Sequence, residues 1–294
     1  MLARAPASSA NLGPGFDTLA VALGLYTEVE VEPAGSLHVH AEGEGSDLPA
    51  DAGHLAARVA TSVVGHDRLH ITVRSQVPVS RGLGSSAALA VAAAAAAGAD
   101  DPLAVAAAFE GHPENAAASV LGGLVTATFV GSSPVAAPLT LDPAITYVVL
   151  VPGRPLATER ARAALPAHVP HTDAAFNLGR MGLLIAGLGD HRQLVREATD
   201  DRLHQTARGP LFPEAAFLLA GLLDAGALAS CWSGAGPSLL AFCLAESVPT
   251  LVTAGRRLLQ QAGIGGQAIA VRPDLEGLEV GAQPRVEAVG AVPR

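Results

Sequence analysis

The run from Ala87 to Ala97, broken only by Leu89 and Val91, constrains this chain more than any other feature. Alanine has the highest intrinsic helix propensity, so the run predicts a helix. Directly ahead of it stands Pro78-Val79-Ser80-Arg81-Gly82-Leu83-Gly84-Ser85-Ser86, and before that Leu69, Ile71 and Val73 alternate with His70, Thr72 and Arg74. The order is therefore strand, glycine loop, helix. The first N–H groups of a helix lack intrahelical partners and carry partial positive charge. Gly82 and Gly84 would let backbone approach an anion, and Ser85 and Ser86 add hydroxyls, so the segment from Pro78 to Ala88 reads as a polyphosphate cradle.

A lone Gly-x-Gly is weak, and a dinucleotide fingerprint is a sharper rival. Gly82-Leu83-Gly84-Ser85-Ser86-Ala87 fits Gly-x-Gly-x-x-Ala, with Asp100 and Asp101 near the distance of a ribose-binding acid. That acid should end a second parallel strand. Here Asp101-Pro102 opens a new helix instead.

The cradle would have to work without lysine. The chain has none; all 18 of its Lys-plus-Arg residues are arginine. Schiff-base chemistry, a Walker A lysine and a protein-kinase β3 lysine are all excluded. Backbone N–H groups, arginine and a metal ion are what remain to neutralise phosphate. The formal net charge of −9 argues against nucleic acid or an anionic membrane as partner. With 50% apolar residues but 3% aromatics, the core must be largely aliphatic. The apolar stretches 82–99 and 120–141 are interrupted by Ser, Gly or Pro and do not read as membrane spans. Residues 1–10 lack the apolar segment of a signal peptide, and Cys231 and Cys243 read as buried thiols of a cytoplasmic protein.

Along the chain, residues 27–31 and 37–41 alternate and predict antiparallel strands with one wet face. Helices are expected over 55–64, from Asp101-Pro102 until His112-Pro113 interrupts, and over 114–121, 156–165, 172–188 and 212–228; 139–151 reads as a loop followed by a buried strand, and 239–244 as a strand. The segment 6–17 reads, on composition, as a tight loop, and the Pro/Ser-rich loop 132–143 as a domain boundary. This mixed order predicts an α+β protein of two domains, 1–143 and 144–294.

The string Pro-x-x-x-Gly-Leu-Gly-Ser-Ser-Ala-Ala, from Pro78 to Ala88, resembles the ATP-binding motif of GHMP kinases. That resemblance implies ATP on the loop, with Mg²⁺ held by Ser86 and Glu110. Other segments are similar to the homoserine kinase branch of that superfamily: Pro6 to Asp17, Glu110-Gly111-His112-Pro113-Glu114-Asn115, Ala157 to Pro166 and His204 to Arg208; Ser233 to Ser238 resembles the third GHMP motif. The resemblance implies that Asn11 faces the transferring group, that Asp17 holds the ammonium of L-homoserine, and that Asn115 belongs to the same catalytic set. Arg162 and Arg208 would clamp its carboxylate, a role suited to bidentate guanidinium. Glu114 stands where the family commonly has Asp, and Ala207 where an aromatic is usual. The implied fold has an N-terminal ATP-binding domain with a left-handed βαβ crossover and a ferredoxin-like C-terminal domain. The implied activity is ATP-dependent phosphorylation of the homoserine hydroxyl in threonine biosynthesis. Another GHMP kinase, acting on threonine or an isoprenoid precursor, and a non-catalytic binding module are the alternatives. A homodimer is compatible with the sequence and not dictated by it.

Overall fold

Residues 1–281 are described by the computed structural model, in which two sheets carry the chain. The first run of elements is β1 (Leu2–Asn11), β2 (Gly15–Pro33), β3 (His38–Gly43), α1 (Leu55–Val64), β4 (Leu69–Ser75), α2 (Ser85–Ala96), α3 (Pro102–Glu110) and α4 (Glu114–Leu121). β5 (Leu124–Val130) and β6 (Ser133–Leu139) close it. There follow β7 (Ile145–Pro152), α5 (Thr158–Ala163), α6 (His171–Gly189), α7 (Gln205–Arg208) and α8 (Ala215–Asp224). The described chain ends with β8 (Ala229–Trp232), β9 (Leu239–Leu244), α9 (Val248–Gln261), β10 (Gly266–Val271) and β11 (Glu279–Val280). Residues 282–294, the end of the expected C-terminal domain, lie outside the described residues.

The alanine run shapes the first layer. α2 is buried from Ala87 to Ala96 except at Leu89, packed on β1 and β2 with α1, α3 and α4 around it. A helix apolar on every side belongs in a core. Its methyl side chains let backbones close up where aromatics would hold them apart, which is how so few aromatic residues suffice.

The first sheet runs β11-β1-β2-β4-β3, with β5 paired to β2 and to β6. The second runs β10-β7-β9-β8, all antiparallel. Strand, helices, two strands, helix, strand is the ferredoxin-like succession expected for this half. The two halves share a core: Leu19, Leu83 and Leu124 pack in one cluster with Tyr147, Leu240 and Phe242. The C-terminal segment also returns to the first sheet, where Arg4 pairs with Glu279 at 2.7 Å.

Three expectations need correction. β3 does not pair with β2; it lies parallel to β4, joined to it through α1. Alternation within a strand reports which face is wet, not which neighbour it takes. Residues 133–139 form β6 and not a loop, hydrogen-bonded in register to β5. Pro134 and Pro138 are tolerated there because β6 is an edge strand, where a missing donor can face water. Residues 6–17 are not merely a loop either. Pro6–Asn11 ends β1, Gly15 begins β2, and only Leu12-Gly13-Pro14 turns.

Candidate active site

The glycine loop between β4 and α2 is pinned on three sides. Ser8 N–H of β1 donates to Leu83 O at 3.1 Å. Ser233 Oγ donates to Gly82 O at 2.6 Å, and Ser238 N–H to Arg81 O at 3.3 Å. Arg81 turns back on the protein, donating from Nε to Pro152 O at 2.9 Å and from Nη2 to Gly153 O at 2.8 Å. It is thus a strut for the loop, while still lining the cavity.

The two glycines have a further reason beside the one expected. Both have positive φ, 72° at Gly82 and 65° at Gly84. A Cβ on Gly82 would stand 2.2 Å from Ser233 O, and one on Gly84 would stand 2.1 Å from Ser8 Oγ. They admit neighbouring backbone, and so fix the loop before any ligand arrives. Gly84 is also the N-cap of α2 and offers no side chain, so the opening amides of that helix are left to the cavity. Gly82→Ala should therefore cost roughly 1–3 kcal/mol of stability or more, because both backbone strain and a carbonyl clash must be relieved. Thermal melts without nucleotide check this; an unchanged melting temperature would mean the loop has room that this geometry denies.

At the first turn of α2, Ser86 Oγ donates to Glu110 Oε1, at the end of α3, at 2.5 Å. A hydroxyl and a carboxylate oxygen thus meet beside the loop, the hard-donor set suited to Mg²⁺.

The other end of the same cavity is lined by charge. Asp17, with φ of 52°, takes a two-pronged pair from Arg162: Nη1 to Oδ2 at 2.9 Å and Nη2 to Oδ1 at 2.7 Å. Asn11 holds this corner, accepting from Asp17 N–H at 3.0 Å and donating to Gly234 O at 2.9 Å. Arg208 is only 1% exposed, and none of the described carboxylates pairs with it. It donates instead to Ala161 O, Gly234 O and His204 Nδ1. Burial, and then the like charge of Arg162, pull its guanidinium down to about 10, still protonated at neutral pH. A buried cation without an anion is costly and is relieved by one that arrives with a ligand.

Asn115 accepts from Ser8 Oγ at 2.9 Å and donates to Glu114 at 3.2 Å. Glu114 is buried, its Oε2 unpartnered and its Oε1 3.0 Å from His112 Nδ1. Burial opposes charge on His112, but the Glu114 carboxylate outweighs it and the pKa rises.

One cavity of about 540 Å³ takes in all of these: Gly82 to Ser86 and Glu110 at one end, Asn11, Asp17, Arg162 and Arg208 at the other, with His112 and Asn115 also in the wall. It extends past Leu89 to His54, Arg58 and Phe109, which sequence reasoning did not assign to the site and which carry no motif. His204 and Phe16 stood within matching motifs but were given no role. The i, i+4 spacing of His204 and Arg208 was a signal that the two side chains are neighbours.

Comparison with known proteins gives the family. The model described as GHMP kinases N terminal domain matches residues 52–123, and that for GHMP kinases C terminal matches 182–257. The chain is 43% identical over 270 residues to a homoserine kinase of Rhodococcus opacus, covering 81% of this chain and 86% of that protein. The chain belongs to the homoserine kinase family. A homoserine kinase of Moorella thermoacetica is 40% identical, with 82% of this chain and 87% of that one covered. The solved homoserine kinase from Cytophaga hutchinsonii superposes with a TM-score of 0.83 at 25% identity, over 95% of this chain and 96% of that one. A mevalonate kinase of L. major, 16% identical with a TM-score of 0.68, shares the fold alone. For this homoserine kinase family member, the two-domain α+β fold of GHMP kinases and an ATP-dependent kinase activity on a hydroxyl follow from those relatives.

Proposed function

We propose that this protein transfers the γ-phosphoryl group of ATP to the side-chain hydroxyl of L-homoserine, giving O-phospho-L-homoserine for threonine biosynthesis. The observation that carries the reading is the single cavity. A polyphosphate loop stands at one end, and at the other a buried arginine with no carboxylate partner among the described residues stands beside an Asp–Arg pair. A zwitterion supplies what that end lacks. Its carboxylate meets Arg208 and Arg162, and its ammonium takes the place of the Arg162 guanidinium on Asp17. A sugar or an isoprenoid alcohol offers no such exchange.

Catalysis then rests on position and charge, as in phosphoryl transfer generally. The amides of 82–86 hold the triphosphate on a loop already fixed by Ser8 and Ser233. Ser86 and Glu110 would hold Mg²⁺, which when bound neutralises phosphate charge. Asn11 and Asn115 keep the acceptor end ordered through their contacts with Asp17, Gly234 and Ser8. We assign residues 1–143 as the ATP-binding domain and 144–294 as its C-terminal partner, acting in the cytoplasm.

ADP release measured with homoserine, threonine, serine and mevalonate side by side tests the reading. Homoserine is expected to give the highest kcat/KM. Preference for mevalonate, or no turnover with any amino acid, would overturn it.

A further inference from the structure

The two charged subsites hang on different parts of the chain. Asp17 follows the turn at Gly13, whereas Arg208 ends α7. One side chain spans them. His204, wholly buried, places Nε2 at 2.8 Å from Gly13 O and Nδ1 at 3.0 Å from Arg208 Nη1. A guanidinium can only donate and a carbonyl can only accept, so the ring is the neutral Nε2–H tautomer, with Nδ1 as acceptor. Its face stacks on Phe16, centroids 5.3 Å apart, and Arg162 and Arg208 flank the same Phe16 ring.

The ring has no freedom to drift. Asp201 accepts from His204 N–H at 2.8 Å and Gln205 N–H at 2.6 Å, fixing the start of α7. Asn177 donates to Asp201 at 2.7 Å and to Pro14 O at 3.4 Å, tying that cap to the same turn. Gly13 itself lies so close to Thr199 that a Cβ there would meet Thr199 O at 2.4 Å. Burial holds the ring neutral, with its pKa down to about 4 although Asp201 favours charge, so it does not repel Arg208.

We infer that His204 is a positioning residue that sets the spacing between the ammonium and carboxylate subsites, and with it the length of hydroxy amino acid the enzyme accepts. It touches no reacting atom; it acts through Gly13 and Arg208. The inference rests on the homoserine reading above and deepens it.

The test is acceptor discrimination in full-length enzyme. His204→Ala removes both links, and the homoserine KM is expected to rise roughly 10- to 100-fold with the ATP KM nearly unchanged, the scale of a small misplacement. Preference for homoserine over the shorter serine should fall by a similar factor. His204→Gln keeps a donor toward Gly13 and should recover much of that preference. A Gln enzyme as indiscriminate as the Ala enzyme, or variants that lose thermal stability but keep the preference, would overturn the inference. Homoserine turnover by the parent enzyme reports separately on the function. Should neither variant be soluble, imidazole ¹⁵N shifts of the parent decide: a ring that titrates in the neutral range, or carries its proton on Nδ1, sinks the proposal.

Discussion

An Arg208→Met enzyme is expected to bind ATP like the parent and to lose nearly all affinity for homoserine. Arg208 is buried with carbonyl and imidazole partners and no carboxylate among the described residues, so on the proposed reading the substrate would be the anion that completes it. Leaving the substrate carboxylate unpaired in such a site costs about 2–5 kcal/mol. At 1.4 kcal/mol per tenfold, that raises the homoserine KM roughly 30- to 4,000-fold. Stability should move much less. The substitution takes a donor from Ala161 O and His204 Nδ1, while Gly234 O keeps Asn11, but it also removes a desolvated charge, and these terms oppose each other. Arg162→Ala should have a smaller effect, because Arg162 is 36% exposed and must leave Asp17 before it can serve the ligand. Homoserine lactone, which has no free carboxylate, should bind parent and Arg208→Met enzymes about equally poorly. Wild-type homoserine kinetics in the Met variant would exclude an amino acid held by its carboxylate.

That Arg208 is buried and Arg162 partly exposed could not be read from the sequence. Both sat in matching motifs, and unaided both would be taken for exposed helix charges. Burial is a property of the assembled fold: Arg208 is enclosed because α7 lies over the 12–17 turn, some 190 positions away in sequence. Local features were legible. The Ala87–Ala97 helix, the Asp101 cap on Ala104 N–H and the β9 strand all follow from nearest-neighbour chemistry. What failed was pairing. The alternation of 37–41 did not reveal that β3 joins β4, and Pro134 and Pro138 disguised an edge strand as a loop. The glycines illustrate the same limit. Their φ requirement was foreseeable, but that Gly82 admits Ser233 O and Gly84 admits Ser8 could not be, since those partners come from distant segments.

The second large effect is expected at Glu110. A chain without lysine has few means to offset triphosphate charge, and the arginines near the site are committed elsewhere. Arg81 braces the loop against Pro152 and Gly153, and Arg162 faces Asp17. Arg58 sits over the Phe109 ring at the far lobe. On the reading proposed above, the oxygen pair of Ser86 and Glu110 would be the place for a divalent cation. Glu110→Gln keeps a carbonyl oxygen that can still accept from Ser86 Oγ, so the melting temperature should stay close to the parent's. The lost formal charge, however, falls on the metal. Several kcal/mol of charge stabilisation is at stake, so kcat at fixed Mg²⁺ should drop by roughly 10²-fold or more. The Mg²⁺ concentration giving half-maximal rate should rise with it, while the homoserine KM changes little. Activity that survives EDTA in the parent, or a Glu110→Gln enzyme with the parent's Mg²⁺ dependence, would show that phosphate charge is met some other way. The opening amides of α2, uncapped at Gly84, would then have to carry that charge without a cation.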